Sequence, residues 1–363
     1  MYVNKMKRSI WFILLAVILV FPVFSQQNGL SLSLPPGFKW EIYAEGITSA
    51  RGMAVAPDGT LFTGSKKGNV YRIDPSGKVE VIADNLSMPV GVEYFEGDLY
   101  ISEISKIQRI KKVLSAESEK YPLETIIEGL PRDRWHGWKF IKIGPDRKLY
   151  VPVGAPCNVC LKNNPQYASI LSFDLTAGDY EIFAHGVRNT VGFDWHPQSE
   201  ELYFTDNGRD NMGDNIPPDE LNYAPRKGLH FGFPFLHGKD IEDPKYWGQR
   251  DRDDFNPPLA ELPAHVAALG MRFYTGTMFP KEYQGGIFIA EHGSWNRSEK
   301  IGYRISFISL AGENPEYKIF AAGWLQGKDY VLGRPADVEI GVDGSLFVSD
   351  DYGSRIFRIW YEG

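Results

Sequence analysis

Short apolar runs alternate with polar residues along most of the chain and return in a fixed order. One unit reads Gly52-Met-Ala-Val-Ala, a turn at Pro57-Asp58-Gly59, Leu61-Phe-Thr-Gly, and Asn69-Val-Tyr-Arg-Ile. Period-two alternation predicts strands, and the Asp-Gly dipeptide between them predicts a hairpin. Related units begin at Gly91, Gly137, Gly192, Gly270 and Ala336, with further hairpin turns at Glu96-Gly97-Asp98, Pro145-Asp146-Arg147 and Val342-Asp343-Gly344. A fourth strand of one type follows the units, as Glu80-Val-Ile-Ala, Glu124-Thr-Ile-Ile, Glu181-Ile-Phe-Ala and Lys318-Ile-Phe-Ala. The same strand stands alone near the beginning as Glu41-Ile-Tyr-Ala, ahead of any unit that could own it.

Six four-stranded units, the last completed by the first strand of the chain, describe an all-β fold. It is a six-bladed β-propeller closed by its N-terminal strand, a ring that leaves only short sheet edges. One domain at 34–363 then follows a short lead at 26–33. The interval from Gly192 to Gly270 is about twice that from Gly52 to Gly91, so blade four carries inserted loop, where function tends to sit.

Residues 1–25 break the pattern: Lys5, Lys7 and Arg8 precede an uncharged apolar run from Ile10 to Phe24, and small Ser25 precedes Gln26. This reads as a cleaved signal peptide, with no later apolar span to anchor the mature chain in a membrane, and it places the protein in the periplasm or medium. The composition, 43% hydrophobic and 23% charged, is that of a folded protein. The net charge of −7 becomes more negative once the leader's cations are gone, which excludes nucleic acid as a partner. The two cysteines, Cys157 and Cys160, are expected to form a short-loop disulfide. Haem attachment would need a His where Leu161 stands, and neither further zinc ligands nor a thioredoxin-like context is visible.

In such a ring the loops entering the inner strands share one face with the loops between second and third strands. Register puts Arg51, His136, Arg188, Asn189 and Arg334 in the first class, and Lys66, Lys67, the Cys157–Cys160 loop, Asp206 to Glu220, and Trp295 to Lys300 in the second. Cations gathered at one mouth of an acidic protein imply a multiply anionic ligand, and Arg suits carboxylates. His136 is the candidate general base; His185, His196, His230, His237, His265 and His292 show no such pattern and are read as structural or surface residues. The acidic, Gly- and Pro-rich segment from Asp206 to Asn222 offers hard oxygen ligands suited to calcium.

The chain resembles the soluble glucose and sorbosone dehydrogenases. The resemblance rests on Leu34-Pro-Pro-Gly-Phe, His136 with Gly144-Pro-Asp-Arg-Lys-Leu-Tyr150, Gly186-Val-Arg-Asn189, Asp219-Glu-Leu-Asn222 and Gly333-Arg-Pro-Ala-Asp-Val338. That family carries pyrroloquinoline quinone (PQQ) with calcium. The resemblance implies His136 as general base, Arg188 and Asn189 against the quinone, and Arg334 on a PQQ carboxylate. It also implies a blade-five cation, Arg297 or Lys300, and calcium held by backbone carbonyls of Gly208 and Arg209 near Asp219. Glucose dehydrogenases of the family place an Asp beside the catalytic His where ungapped counting finds Ala155, and the Cys-Asn-Val-Cys loop is similar to the sorbosone branch. Trp295 and Tyr303 are candidates for a sugar platform. The implied reaction oxidises a sugar hemiacetal or aldehyde hydrate, with an external electron acceptor closing the cycle. A calcium-dependent lactonase-type hydrolase and a non-catalytic binding propeller stand as the alternatives.

Overall fold

The structure, a computed structural model, describes residues 29–115 and 121–363. The expected leader lies outside the described residues. The architecture is the one the repeats require. Blade one comprises Ala50–Val55, Leu61–Ser65, Val70–Ile73 and Val79–Ala83; blade two comprises Val92–Phe95, Asp98–Ser102, Lys106–Ile110 and Leu123–Glu128. Blade three is Lys142–Ile143, Leu149–Val153, Ser169–Phe173 and Tyr180–His185, with Leu229–His230 added in parallel at its edge. Blade four is Gly192–Trp195, Leu202–Asp206, Asp219–Ala224 and Ala260–Leu262. Blade five is Ala268–Phe273, Ile287–Glu291, Arg304–Ser309 and Glu316–Ala322. Blade six takes Pro335–Ile340, Leu346–Asp350 and Arg355–Tyr361 and is completed by Phe38–Glu45, which pairs antiparallel with Arg355–Tyr361. Blade four's outer strand, absent from the repeat, arrives only after the insertion.

The turns use one device. Asp58 and Asp343 each accept, on Oδ1, the backbone N–H two residues ahead, while Gly59 and Gly344 adopt positive φ. This is the local side-chain-to-backbone bond that makes Asp a turn residue.

Six apolar clusters separate the blades. Phe62, Val70, Val92 and Leu99 fill the first interface, Tyr150, Ile170, Phe193 and Phe204 the third to fourth, and Phe288, Phe320, Val348 and Phe357 the fifth to sixth. The glycines that lead the units have a steric reason. A Cβ on Gly91 or Gly192 would collide with the carbonyl of Lys139 or Leu269 on the next blade's inner strand. Hydroxyls fasten the same seams, since Ser102 Oγ donates to the Lys139 carbonyl (2.6 Å) and Thr205 Oγ1 to the Leu269 carbonyl (2.7 Å). The inner strands therefore converge tightly, and the entry loops are delivered around one channel mouth. Ion pairs cross the opposite mouth, Lys142 with Asp194 (3.4 Å) and Arg272 with Glu339 (2.8 Å).

Candidate active site

A cavity of about 320 Å³ opens at the mouth anticipated from register, lined by Arg51, Lys66, His136, Arg188, Asn189 and Arg334 among others. Blades one, three, four and six contribute these groups, so the ring itself brings together residues far apart in sequence.

His136 is buried and sits in the left-handed region at φ 50°, a conformation costly for a side chain and tolerated where the surroundings fix it. Gly154 makes room, because a Cβ there would lie 2.6 Å from His136 Cβ. His136 Nδ1 donates to the Ala155 carbonyl at 2.7 Å, and Nε2 accepts the indole N–H of Trp135 at 3.1 Å. Burial, with Arg188 adding repulsion, pulls the imidazole down to about 3, so it is neutral at pH 7 with its lone pair on Nε2.

Arg188 is fully buried and its charge is met locally. It pairs with Asp210 (3.2 Å) and bonds Asn158 and the Asn207 carbonyl. Asp206 holds the preceding backbone, accepting the N–H groups of Arg188 (2.7 Å) and Asn189 (2.6 Å).

The opposite wall is the cationic one. Arg51 pairs with Asp351 at 2.6 Å, Lys66 reaches the same carboxylate only at 3.9 Å, and Arg334 donates to the carbonyls of His292 and Gly293. Arg51 and Lys66 thus share one carboxylate, and the Arg334 guanidinium is met by neutral carbonyls. Repulsion from Arg51, followed by burial, lowers the Lys66 ammonium, and among the described residues Arg51 Nε has no partner. An anionic group entering here would oppose the repulsion between these cations.

Other expectations change. Neither Arg297 nor Lys300 lines the cavity. Arg297 turns to the carbonyls of Asp214 and Ala264, and Lys300 lies 3.6 Å from Asp329. The cations beside Arg334 on the cationic wall of the cavity are Arg51 and Lys66. Tyr303 is buried, its hydroxyl donates to the Ser294 carbonyl, and its ring lies under the Arg334 guanidinium, so it supports that cation and is no sugar platform. Trp295 does stand at the mouth, 70% exposed. His265 and His292, read as structural or surface residues, both line the cavity. His292 Nε2 bonds Asp351 at 2.9 Å, and His265 Nε2 bonds the carbonyls of Gly213 and Ile216. Neither lies in a recurring motif, which is why register did not find them.

Of the calcium set, Gly208 and Asp219 line the cavity, while the Arg209 side chain leaves it to pair with Asp243. Asp219 accepts the N–H groups of Gly208 (2.8 Å) and Ala268 (3.3 Å), so it braces the loop. Among the described residues no hydrogen bond ends on the carbonyls of Gly208 or Arg209, and no three His, Cys, Asp or Glu side chains converge as a metal cage. Cys157 and Cys160 form the expected disulfide.

Comparison with known proteins bears on the fold and the family. A protein of Borreliella burgdorferi described only as uncharacterized is 41% identical over 347 residues, covering 92% of this chain and 91% of that one. The PQQ domain of a pyranose dehydrogenase from Coprinopsis cinerea, in its holo form, superposes with a TM-score of 0.77 at 17% identity, covering 91% of this chain and 97% of that one. A calcium structure of a family AA12 carbohydrate-active enzyme from Trichoderma reesei gives 0.75 at 17% identity, with 93% and 98% covered. Identities this low speak for the fold alone. Residues 159–358, from the disulfide loop through blade six, match the model of the glucose/sorbosone dehydrogenases, and it is to that family that the chain belongs.

Proposed function

We propose that the protein is a PQQ- and calcium-dependent sugar dehydrogenase, oxidising an aldose or related sugar as its hemiacetal or aldehyde hydrate. The observation that carries this reading is the pairing of an under-neutralised cationic wall with a neutral His across one cavity. Arg51 and Lys66 on the one carboxylate of Asp351, with Arg334 met by carbonyls beside them, suit a ligand with several carboxylates. Asn189 and Arg188 form the adjoining floor, and the free carbonyls of Gly208 and Arg209 are hard oxygen donors fit for calcium.

PQQ, when bound, supplies the two-electron oxidising chemistry; the rest falls to the chain's own residues. His136 Nε2, its tautomer set by Ala155, accepts the proton of the sugar hydroxyl as that hydroxyl replaces the Trp135 indole N–H. Arg188 stabilises negative charge on the same oxygen. The relatives described above, a PQQ domain and a calcium-containing enzyme, support the choice of cofactors. The lactonase-type alternative calls for a cage of side-chain ligands, and the channel centre is lined by Arg51, Gly52, Val90 and Trp138 among others, with Asp337 as its one acidic group. Export fits the leader and the disulfide; among the described residues no helix is long and apolar enough to cross a membrane.

The test is a titration of apo-protein with PQQ, in calcium and in chelator, followed by single-turnover bleaching of the quinone with a panel of aldoses and sorbosone. Binding only with calcium, and bleaching by at least one sugar, is expected. Tight calcium-independent binding, or none, removes the cofactor assignment; binding without bleaching leaves a non-catalytic propeller.

A further inference from the structure

The Arg188 guanidinium is held by two loops, Asn158 of one taking two bonds and Asn207 and Asp210 of the other taking one each. Nε donates to the Asn158 carbonyl (2.9 Å), and Nη2 donates to Asn158 Oδ1 (3.0 Å) and to Asp210 Oδ2 (3.2 Å). Nη1 gives one hydrogen to the Asn207 carbonyl (3.0 Å). A guanidinium carries five N–H donors, so a single Nη1 hydrogen is left for the cavity. Asn158 is itself clamped to the blade-four loop: Nδ2 donates to the Asp210 carbonyl (3.0 Å), and Oδ1 also accepts the Asp210 N–H (2.8 Å).

What fixes Asn158 is not packing. It stands between Cys157 and Cys160, and none of Pro156 to Leu161 is buried. A loop with no apolar anchor must be ordered by its hydrogen bonds and its crosslink, because the chain entropy opposing that order is unopposed by burial. The disulfide closes the loop immediately around the residue that grips Arg188.

We propose that Asn158 is a positioning residue for Arg188, and that the Cys157–Cys160 disulfide serves the site by keeping Asn158 in register. Asn158 takes two of the four donors that are occupied and clamps the blade-four loop that takes the other two, and so decides which N–H meets the substrate oxygen. The positioning stands on the geometry alone; its effect on turnover rests on the sugar-oxidation reading above.

The experiment has two readouts. In the apo-protein, arginine-selective ¹⁵Nε NMR follows hydrogen exchange of the Arg188 Nε–H, assigned by its loss in Arg188→Lys. Asn158→Ala, which removes the Oδ1 that holds Nη2 and the Asp210 N–H, and separately Cys157→Ser with Cys160→Ser, should accelerate that exchange by at least roughly tenfold, because the Asn158 carbonyl that accepts the Nε–H loses its register. The Arg334 Nε–H, bonded to the His292 carbonyl, should keep its wild-type rate and so report an intact cavity. Asn158→Asp, which retains an acceptor for Nη2 and for the Asp210 N–H but cannot donate to the Asp210 carbonyl, should restore part of that protection. In the enzyme loaded with PQQ and calcium, Asn158→Ala should lower kcat on the order of tenfold to a hundredfold while KM stays within about threefold, as expected of misorientation. Unchanged Arg188 exchange in Asn158→Ala overturns the inference whether or not PQQ binds. Should the cysteine variant fail to fold, Asn158→Ala decides alone, since its disulfide is intact. Absence of any sugar-dependent turnover in the wild type would count against the functional reading only, and the exchange rates would still decide the positioning.

Discussion

The Ala155 carbonyl accepts the Nδ1 proton of His136 at 2.7 Å, so the backbone supplies the tautomer-fixing partner that a side-chain Asp supplies in the glucose dehydrogenases this chain resembles. The imidazole is thereby oriented without a second buried charge. His136→Gln should leave PQQ and calcium binding intact and lower sugar-dependent bleaching by roughly 10²–10⁴-fold, the usual contribution of a general base. Stopped-flow absorbance of the bound quinone measures this, and wild-type rates in the variant would remove His136 from the mechanism.

The same relationship bears on Ala155, the position where glucose dehydrogenases of the family carry Asp. Ala155 is 1% exposed, borders a second cavity lined by Tyr167, His230, Phe233 and Arg250 among others, and makes its hydrogen bonds through its backbone. A carboxylate placed there would be desolvated beside a His already bonded to the carbonyl. Ala155→Asp should therefore destabilise by about 1–3 kcal/mol and not raise turnover. Urea unfolding with parallel single-turnover rates tests both, and faster bleaching in this variant would show that the carbonyl is an inferior substitute.

On the cationic wall, a bound polycarboxylate would raise the Lys66 ammonium from its lowered value, because the ligand opposes the repulsion from Arg51. A group whose pKa rises on binding takes up a proton, so affinity should fall as pH rises through the lowered Lys66 value of the apo-protein. Lys66→Met should remove that alkaline dependence. Arg334→Ala should weaken binding by about 1.5–3 kcal/mol at every pH, the scale of a lost charge-assisted contact. Calorimetric titrations across the range distinguish them; a pH dependence surviving in Lys66→Met would assign the proton elsewhere.

Which parts of this site could be read in advance follows from what a repeat encodes. Leading glycines mark the inner strands because only Gly permits the approach of the neighbouring blade, and once those strands are aligned Arg51, His136, Arg188 and Arg334 fall at one mouth. Lys66 was visible through the matching second loop class. The failures lie where geometry is not periodic. The partner of His136 is a carbonyl, which any residue provides, so Ala155 gave no sign of it. His292 is defined by Asp351 in the last blade, 59 residues away. Arg297 and Lys300 carry the right charge on the right loop, yet local carbonyls and Asp329 turn them away.

Phe38 makes the closing strand a packing element as well as a hydrogen-bonded one. Its ring lies 4.8 Å from Phe279, 5.0 Å from Phe320 and 5.0 Å from Tyr361, which ties the N-terminal strand to blade five as well as to blade six. Phe38→Ala should cost about 3–5 kcal/mol, the range for deleting a buried aromatic ring. Denaturant midpoints for the mature chain measure it. A loss under about 1 kcal/mol would mean that ring closure rests on the strand's backbone ladder alone.

Stability of the apo-protein should pass through a maximum in mildly acidic to neutral solution, for two opposed reasons. Burial pulls His136, His230 and His292 down to about 3, far below the ordinary value of 6.5, so the unfolded chain binds protons that the native state refuses. Stability is then lost as pH falls below about 6.5. On the other side, burial raises Asp219 to about 6 and pushes its neighbours Asp206 and Glu220 upward as well, with Asp206 adding repulsion at Glu220. Here the native state holds protons that the unfolded chain has released, and stability declines as pH rises through those raised values. Glu220 accepts the Gly238 N–H on Oε1 and the Asn222 amide on Oε2; a Gln amide keeps the first bond, and its NH2 can face Asn222 Oδ1, which has no partner among the described residues, once the Asn222 amide turns over. Glu220→Gln should accordingly flatten the alkaline limb and leave the acid limb in place, whereas calcium, by favouring the ionised carboxylates around its loop, should flatten it in the wild type. Thermal unfolding from pH 5 to 9 in chelator, with and without the substitution, gives the slopes. An alkaline limb of wild-type steepness in Glu220→Gln would place the titrating proton on another group.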